Sequence, residues 1–336
     1  MVDLSISIIS YNVKDYLDKC LTSIFKEKKD LILEIIVVDN NSSDGSIAMV
    51  REKFPDVKPI GNKENLGFAK ANNIAIKQSC GRYILILNPD TIVLPGSMQL
   101  LVDFLDKNSR VGAVGPKILN EDSSIQLECA RNFPTPLIDF FILSSLYKRF
   151  PKSKIFGKYL MSYWDHNDGR EVPLLSGACM LLRRSALEEV GLFDENFFMY
   201  TEDTDLCYRV KKAGWKVWYL PEAEIIHFGG RSSEQIPYKK EMVMHARETM
   251  EAFYLKHYGM WAVVMHRLTV IITMIWLITA ASAGYLLGPS SRKQKFKNII
   301  FRSSSMLQWA FKPRIVRLNK KEWEEDQKFF SKKKSR

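Results

Sequence analysis

Leu33-Glu34-Ile35-Ile36-Val37-Val38-Asp39 runs directly into Asn40-Asn41-Ser42-Ser43-Asp44-Gly45, and the reading of this stretch decides the fold. Its first half is apolar and β-branched, the pattern of a strand covered on both faces in a parallel sheet. Its second half is a polar turn, with Ser42, Ser43 and Asp44 placed to cap a helix running to Val50. Upstream, residues 4–10 repeat the strand pattern, and residues 13–25 between the two carry Leu17, Leu21, Ile24 and Phe25 at helical spacing. Downstream, the pattern predicts a helix over 68–78, a strand over 83–87, a helix over 95–108 and a strand over 111–116. This alternation predicts a doubly wound α/β domain.

Past about residue 120 the rhythm breaks. Residues 133–165 are rich in aromatics, and 137–154 mixes apolar and basic side chains in a way that suits a membrane-facing patch. Regular structure is expected again as a strand over 172–183, helices over 185–190 and 202–213, a strand over 217–219 and a helix over 241–258. Residues 268–288 are then 21 positions without a charge, long enough to span a bilayer.

The 336-residue chain has a formal net charge of +11, so the location of that charge matters. From Pro289 onward there are 15 Lys and Arg against four acids, whereas before it the two signs are equal at 34 each. A charge-balanced body does not predict a nucleic-acid groove, and no nucleic-acid partner is expected. The five cysteines are scattered without a CxxC pair, which argues against a disulfide framework or zinc site and fits a reducing compartment. The N-terminus runs straight into a strand pattern, so no secretory leader is expected.

Five segments could carry chemistry. Asp39, at a strand's carboxyl end, can accept hydrogen bonds from a base or ribose, while Asp39 to Asp44 read equally as an Asx-rich turn. Asn65-Leu66-Gly67 suits a tight turn that lets backbone approach a ligand, and Asn72 and Asn73 in the following helix read either as ligand contacts or as a buried capping network. Asn88-Pro89-Asp90 follows an apolar strand, where a carboxylate can hold a divalent cation and through it a diphosphate, or simply form a turn. Glu202, Asp203 and Asp205 put three acids in four residues, which suggests a cation or proton-transfer site; a helix dipole would account for two of them. His227 ends an apolar strand-like stretch and could be structural or a ligand.

Taken in order, these segments resemble family 2 glycosyltransferases, in the subgroup of bacterial rhamnosyltransferases. The likeness rests on Ser7-Ile8-Ile9-Ser10-Tyr11-Asn12, Val38-Asp39-Asn40-Asn41-Ser42, Asn65-Leu66-Gly67-Phe68-Ala69 and Asn88-Pro89-Asp90. It continues through Ser176-Gly177-Ala178-Cys179-Met180, Gly191-Leu192-Phe193-Asp194-Glu195, Glu202-Asp203-Thr204-Asp205 and His227, and so spans residues 4 to 230. The resemblance implies a GT-A fold, with a Rossmann-like nucleotide-binding α/β half (about 1–120) and an acceptor-binding half (121–240). It implies that Asp39 contacts the base, that Ser10, Tyr11 and Asn12 line that pocket, and that Asn65, Gly67 and Asn88 border the nucleotide-sugar donor. Asp90 and His227 would ligate Mg²⁺ or Mn²⁺, Asp203 would be the general base, and Glu202 and Asp205 would be supporting or acceptor-side carboxylates. Asn88 stands where many members have Asp, a form that the rhamnosyltransferase-like members resemble. The chemistry is coherent: a cation stabilises the leaving diphosphate, one carboxylate deprotonates the acceptor hydroxyl, and direct displacement inverts the anomeric carbon.

Residues 241–336 are expected to form a helical, membrane-associated region with the apolar segment 268–288 and a basic tail. A single span would place that tail outside, against the positive-inside tendency. A re-entrant hairpin or in-plane helix at the cytoplasmic face of the membrane, with the tail on anionic headgroups, fits better. A polyprenyl-diphosphate-linked glycan is then the expected acceptor. The subgroup resemblance points to dTDP-rhamnose as donor, with a UDP-hexose or a non-catalytic membrane scaffold as alternatives. A sugar-1-phosphate nucleotidyltransferase would need a glycine-rich basic loop after the first strand, where this chain has Ser10-Tyr11-Asn12-Val13.

Overall fold

The computed structural model describes residues 2–28, 30–229 and 240–312; the basic tail beyond Lys312 lies outside them. The chain divides into two compact units. The first holds residues up to Phe133 and from Trp164 to the end of the main sheet. Its order is β1 (Leu4–Ser10), α1 (Lys14–Lys26), β2 (Leu33–Asp39), α2 (Ser46–Lys53), β3 (Val57–Gly61), α3 (Gly67–Gln78), β4 (Tyr83–Leu87), β5 (Thr91–Val93), α4 (Ser97–Lys107), β6 (Val111–Leu119) and β7 (Ala130–Arg131).

In the second unit, α5 (Pro136–Leu143) and α6 (Leu146–Arg149) come next in the chain. The first unit then resumes with β8 (Arg170–Glu171), β9 (Leu174–Leu175), β10 (Cys179–Arg183), α7 (Arg184–Val190), α8 (Glu202–Lys212) and β11 (Lys216–His227). Residues 134–163, assigned from sequence to the acceptor-side half, thus cluster with the C-terminal helices α9 (Lys240–His257), α10 (Met260–Leu287) and α11 (Lys293–Ala310).

The main sheet of the first unit runs β3-β2-β1-β4-β10-β6-β11-β5. All seven residues of β1 are buried, its Leu4, Ile6, Ile8 and Ile9 in the core and its three serines covered with them. Two of its serines are satisfied: Ser7 Oγ donates to Asn72 Oδ1 at 2.7 Å and Ser5 Oγ to Glu34 Oε2 at 2.5 Å. Helix α1 closes one face through Leu17, Leu21 and Ile24, all fully buried, each stabilising by roughly 2 kcal/mol.

The doubly wound reading holds for β3, β2, β1 and β4, which are parallel. Beyond them the sheet is mixed, because β10 inserts antiparallel between β4 and β6, while β6 and β11 again pair in parallel. The strand expected over 172–183 is also broken at Ser176–Ala178, where the backbone leaves the short pair β7–β9 to reach β10. That break matters, since Asn88 N–H donates to Ala178 O at 2.9 Å and so ties the loop to the end of β4.

In the second unit, Thr135 caps α5 by accepting from Ile138 N–H, with Pro136 in the first turn. Val270, Met274, Trp309 and Ala310 form a buried cluster there. Glu251, wholly buried, is paired with Arg267 at 2.7 Å, and Asp139 accepts from Tyr254 Oη at 2.7 Å and lies 2.7 Å from His266 Nδ1.

Candidate active site

Parallel pairing aligns Ser10 with Asp39 at the carboxyl ends of β1 and β2. The polar turn beyond them is largely self-satisfied. Asn12 N–H donates to Ser42 Oγ, Ser43 N–H donates to Asn12 Oδ1, and Asp44 accepts from Lys14 and Ser46 backbone N–H groups at the starts of α1 and α2. Asn12 is therefore engaged in shaping this turn. Asp39 spends only Oδ2, on Ser42 N–H at 2.9 Å. Its Oδ1 and the Ser10 hydroxyl are buried without a hydrogen-bond partner among the described residues. Buried polar atoms of this kind are costly unless something pairs with them.

Asn40 joins this corner to α3. Its amide donates to Gly67 O at 3.1 Å and accepts from Asn62 Nδ2 at 2.8 Å. Asn65 Oδ1 accepts from Gly67 N–H, and Phe68 N–H donates to Phe198 O at 2.7 Å. Gly67 has φ +80°, and a Cβ there would come within 2.3 Å of Phe198 O, so only glycine fits. The open reading of Asn72 and Asn73 resolves to scaffolding. Asn72 Nδ2 donates to Phe68 O, and Asn73 exchanges hydrogen bonds with the Phe193 backbone while donating to Glu195.

At the end of β4, Asp90 is buried and meets His227 because β11 pairs with β5 in a register that sets His227 opposite Thr91. Phe228 N–H donates to Asp90 O at 2.9 Å and locks this register. Asp90 Oδ1 lies 3.3 Å from His227 Nε2, and Asn88 Nδ2 lies 3.2 Å from the same nitrogen. Gln126 sets the imidazole. Its amide nitrogen donates to His227 O and Asn120 Oδ1, so its oxygen faces His227 Nδ1 at 2.9 Å and that nitrogen carries the proton. The Nε2 edge of the ring then faces both the Asp90 carboxylate and the Asn88 amide, so Asp90 and His227 present an oxygen and a nitrogen that could ligate one cation. No group of three or more His, Cys, Asp or Glu forms a metal cluster among the described residues, so further ligands would come from a bound diphosphate and water.

The third element is the start of α8. Tyr200 and Thr201 have φ +70° and +73°, two consecutive left-handed residues that turn the chain abruptly into the helix. Asp203 Oδ2 accepts from Arg131 Nη2 at 2.8 Å and from Gly177 N–H at 3.1 Å, while Oδ1 accepts from Thr204 N–H at 2.6 Å. Burial, and then the neighbouring Asp203 charge, push the Glu202 carboxyl up to about 8. Of the two expectations for Asp205, supporting or acceptor-side, its surroundings suit the supporting one. It is fully buried and paired with Arg209 Nε at 2.8 Å, and Arg209 in turn donates to the carbonyls of Val190 and Leu192. Its charge is consumed in holding α8 to the Gly191 loop.

The structure thus brings Asp90, His227 and Asn88 together, gathers Glu202 and Asp203, and aligns Ser10 with Asp39. Sequence reasoning missed Gln126 and Arg131. Neither lies in a periodic element or a cluster of like residues; their partners are 101 and 72 residues away in the chain.

The family model described as Glycosyl transferase family 2 matches residues 5–191. An N-acetylglucosaminyl-diphospho-decaprenol L-rhamnosyltransferase of Mycobacterium tuberculosis is 31% identical over 269 residues, covering 77% of this chain and 86% of that protein. Rhamnosyltransferase WbbL of Escherichia coli is 27% identical, covering 73% of this chain and 90% of that one. Among solved structures, a mannosyltransferase from Pyrobaculum calidifontis, in complex with GDP-Man and Mn2+, superposes with a TM-score of 0.53 at 17% identity. That superposition covers 92% of this chain and 88% of that one. The fold is GT-A, as the sequence led us to expect.

Proposed function

This chain belongs to glycosyl transferase family 2, and on that premise we propose that it moves L-rhamnose from dTDP-rhamnose to a polyprenyl-diphosphate-linked glycan, in cell-surface polysaccharide synthesis. The glycosyltransferase class follows from the family. The sugar and the acceptor are supported by likeness to two rhamnosyltransferases, one of them named for a decaprenol-diphosphate compound. The observation that carries the site reading is Asp90 facing a histidine whose tautomer Gln126 fixes.

Asp39 Oδ1 and Ser10 Oγ receive the nucleotide base, with Tyr11 beside them and Asn12 holding the turn. Asn65 and Gly67 border the donor, where the absence of a side chain on Gly67 keeps the turn tight. Asp90 and His227 hold Mg²⁺ or Mn²⁺, with Asn88 alongside. When bound, the cation neutralises charge on the leaving diphosphate.

Asp203 takes the proton from the acceptor hydroxyl as its oxygen attacks. Burial and the neighbouring Asp203 charge raise the Glu202 carboxyl and favour its protonated form, which leaves Asp203 the better base of the two. Arg131 and the Gly177 N–H fix the orientation of Asp203. One base and a single displacement give inversion at the anomeric carbon. Residues 1–120 serve the donor, the half that follows to about 240 serves the acceptor, and 241–336 serve attachment to the cytoplasmic face of the membrane. The apolar helix α10 supports that attachment.

Calorimetry with a panel of nucleotide-sugars, with and without Mn²⁺, on wild type and Asp90→Ala tests the reading. Metal-dependent binding of dTDP-rhamnose that is lost in the variant is expected. Binding of a UDP-hexose instead would replace the donor, and no binding to any donor would point to a scaffold. Anomer-resolved NMR of the product checks inversion; a retained configuration overturns it.

A further inference from the structure

We propose that α10 and α11 form a hairpin that seats the protein in the headgroup layer of an anionic phospholipid surface without crossing the bilayer. This rests on the reading that the acceptor is lipid-borne. Helix α10 runs 28 residues, about 42 Å at ~1.5 Å per residue, which exceeds a hydrocarbon core of about 30 Å. By length and composition it could cross a membrane.

The packing inside this unit argues otherwise. Helix α11 returns along α10. At one end the Phe296 ring lies so close to Gly284 that a Cβ there would meet it at 2.6 Å. At the other end the Trp309 and His266 rings are 5.7 Å apart, and Arg267 donates to Lys312 O at 2.6 Å. One face of α10, with Val263, His266, Val270 and Met274, is buried in protein. The opposite face exposes Trp261, Val264, Leu268, Ile272 and Ile275 at helical steps of three and four residues, with Trp276, Leu286 and Leu287 also exposed.

If α10 crossed the bilayer, the returning chain would have to carry Arg292, Lys293, Lys295 and Lys297 to the far side and leave Arg302 at hydrocarbon depth. Lying in the plane, those cations instead stand next to Leu286 and Leu287, which are 76% and 89% exposed. That is the layout of an interfacial helix, apolar side chains down and cations at the headgroups. The Lys293 and Lys297 ammonium groups sit 5.5 and 5.6 Å from the Tyr285 ring centroid, with stems along apolar surface and charges outward.

Charge selects the partner. Between Glu251 and Glu322 the sequence contains no Asp or Glu, so the whole hairpin attracts an anionic surface. A second copy would present the same positive charge to itself.

Flotation of the full chain tests this, using vesicles of phosphatidylcholine alone and of phosphatidylcholine with phosphatidylglycerol. Binding at least tenfold stronger to the anionic vesicles is expected. Lys293→Glu/Lys295→Glu/Lys297→Glu should weaken it roughly a hundredfold or more, and Leu286→Asp/Leu287→Asp about tenfold or more. Both variants should keep transfer to a short-chain, water-soluble acceptor, which shows that they fold. Equal binding to both vesicle types, or indifference to the charge reversal, overturns the proposal. So does labelling of Gln294→Cys from outside intact cells by an impermeant maleimide, or a concentration-dependent dimer in place of vesicle binding. If wild type binds anionic vesicles but transfers no sugar, the enzymatic reading fails and the hairpin stands.

Discussion

Among the described residues, two aspartate–histidine pairs occur, one in each compact unit, and their surroundings differ. In the helical unit, Asp139 lies 2.7 Å from His266 Nδ1, accepts from Tyr254 Oη and has Arg247 at 3.9 Å, with the His266 side chain wholly buried. Asp139 thus ties α5, α9 and α10 together, while His266 Nε2 and Arg247 Nε are buried without a hydrogen-bond partner among the described residues. In the sheet unit, Asp90 and His227 stand at 3.3 Å, the imidazole is 13% exposed, and Gln126 holds its Nδ1 edge while Nε2 faces Asp90 and Asn88. The same two residue types link three helices in one place and join two strand ends in the other, where we propose that they hold a cation. What separates them is position: the first pair lies among packed helices, the second at the ends of sheet strands, where α/β proteins bind ligands.

The largest expected effect concerns the start of α8. Asp203→Asn should lower transfer by about 10²- to 10⁴-fold while donor binding by calorimetry stays unchanged; comparable loss of binding would make Asp203 a donor ligand instead. Asp139→Ala should cost about 3–5 kcal/mol, the penalty for leaving buried partners uncompensated, read as a lowered denaturation midpoint. Metal-dependent donor binding at temperatures where the variant is folded should be unaffected, and loss of it would break the comparison. Gln126→Ala should weaken Mn²⁺ binding about 10- to 100-fold, the usual effect of removing a group that orients a ligand histidine, with little change in stability.

The smallest effect concerns pH. Folding raises the Glu202 carboxyl from 4.5 to about 8. Between those values the folded chain holds a proton that the unfolded chain has lost, so stability falls as pH rises through the window and is level above it. Thermal unfolding of Glu202→Gln between about pH 5 and pH 8 should show a shallower fall than wild type; parallel curves would show that Glu202 ionises normally.

The strands Leu4–Ser10, Leu33–Asp39 and Tyr83–Leu87 were legible to the residue, because burial on both faces writes itself into a local run of apolar side chains. Strand Val57–Gly61 was not, being a short edge strand with Pro59 and half-exposed positions. Thr91–Val93 has three residues and exists because His227 and its neighbours pair with it. The motif segments were visible one by one, yet the division of labour inside them was not. Asp203 and Asp205 look alike in sequence, and only the fold gives one to Arg131 and Gly177 and the other to Arg209.

By itself, then, the amino-acid sequence determined the α/β alternation, the family, the candidate acids at the strand ends and the apolar stretch near the C-terminus, since each depends on residues that are neighbours along the chain. The tertiary structure decided the antiparallel insertion of β10, the histidine tautomer set by Gln126, the brace on Asp203 and the return of α11 along α10. Each of these is a contact between residues far apart in sequence, and the chain carries no local pattern for it because the energy that selects it arises only when packing brings the two partners together.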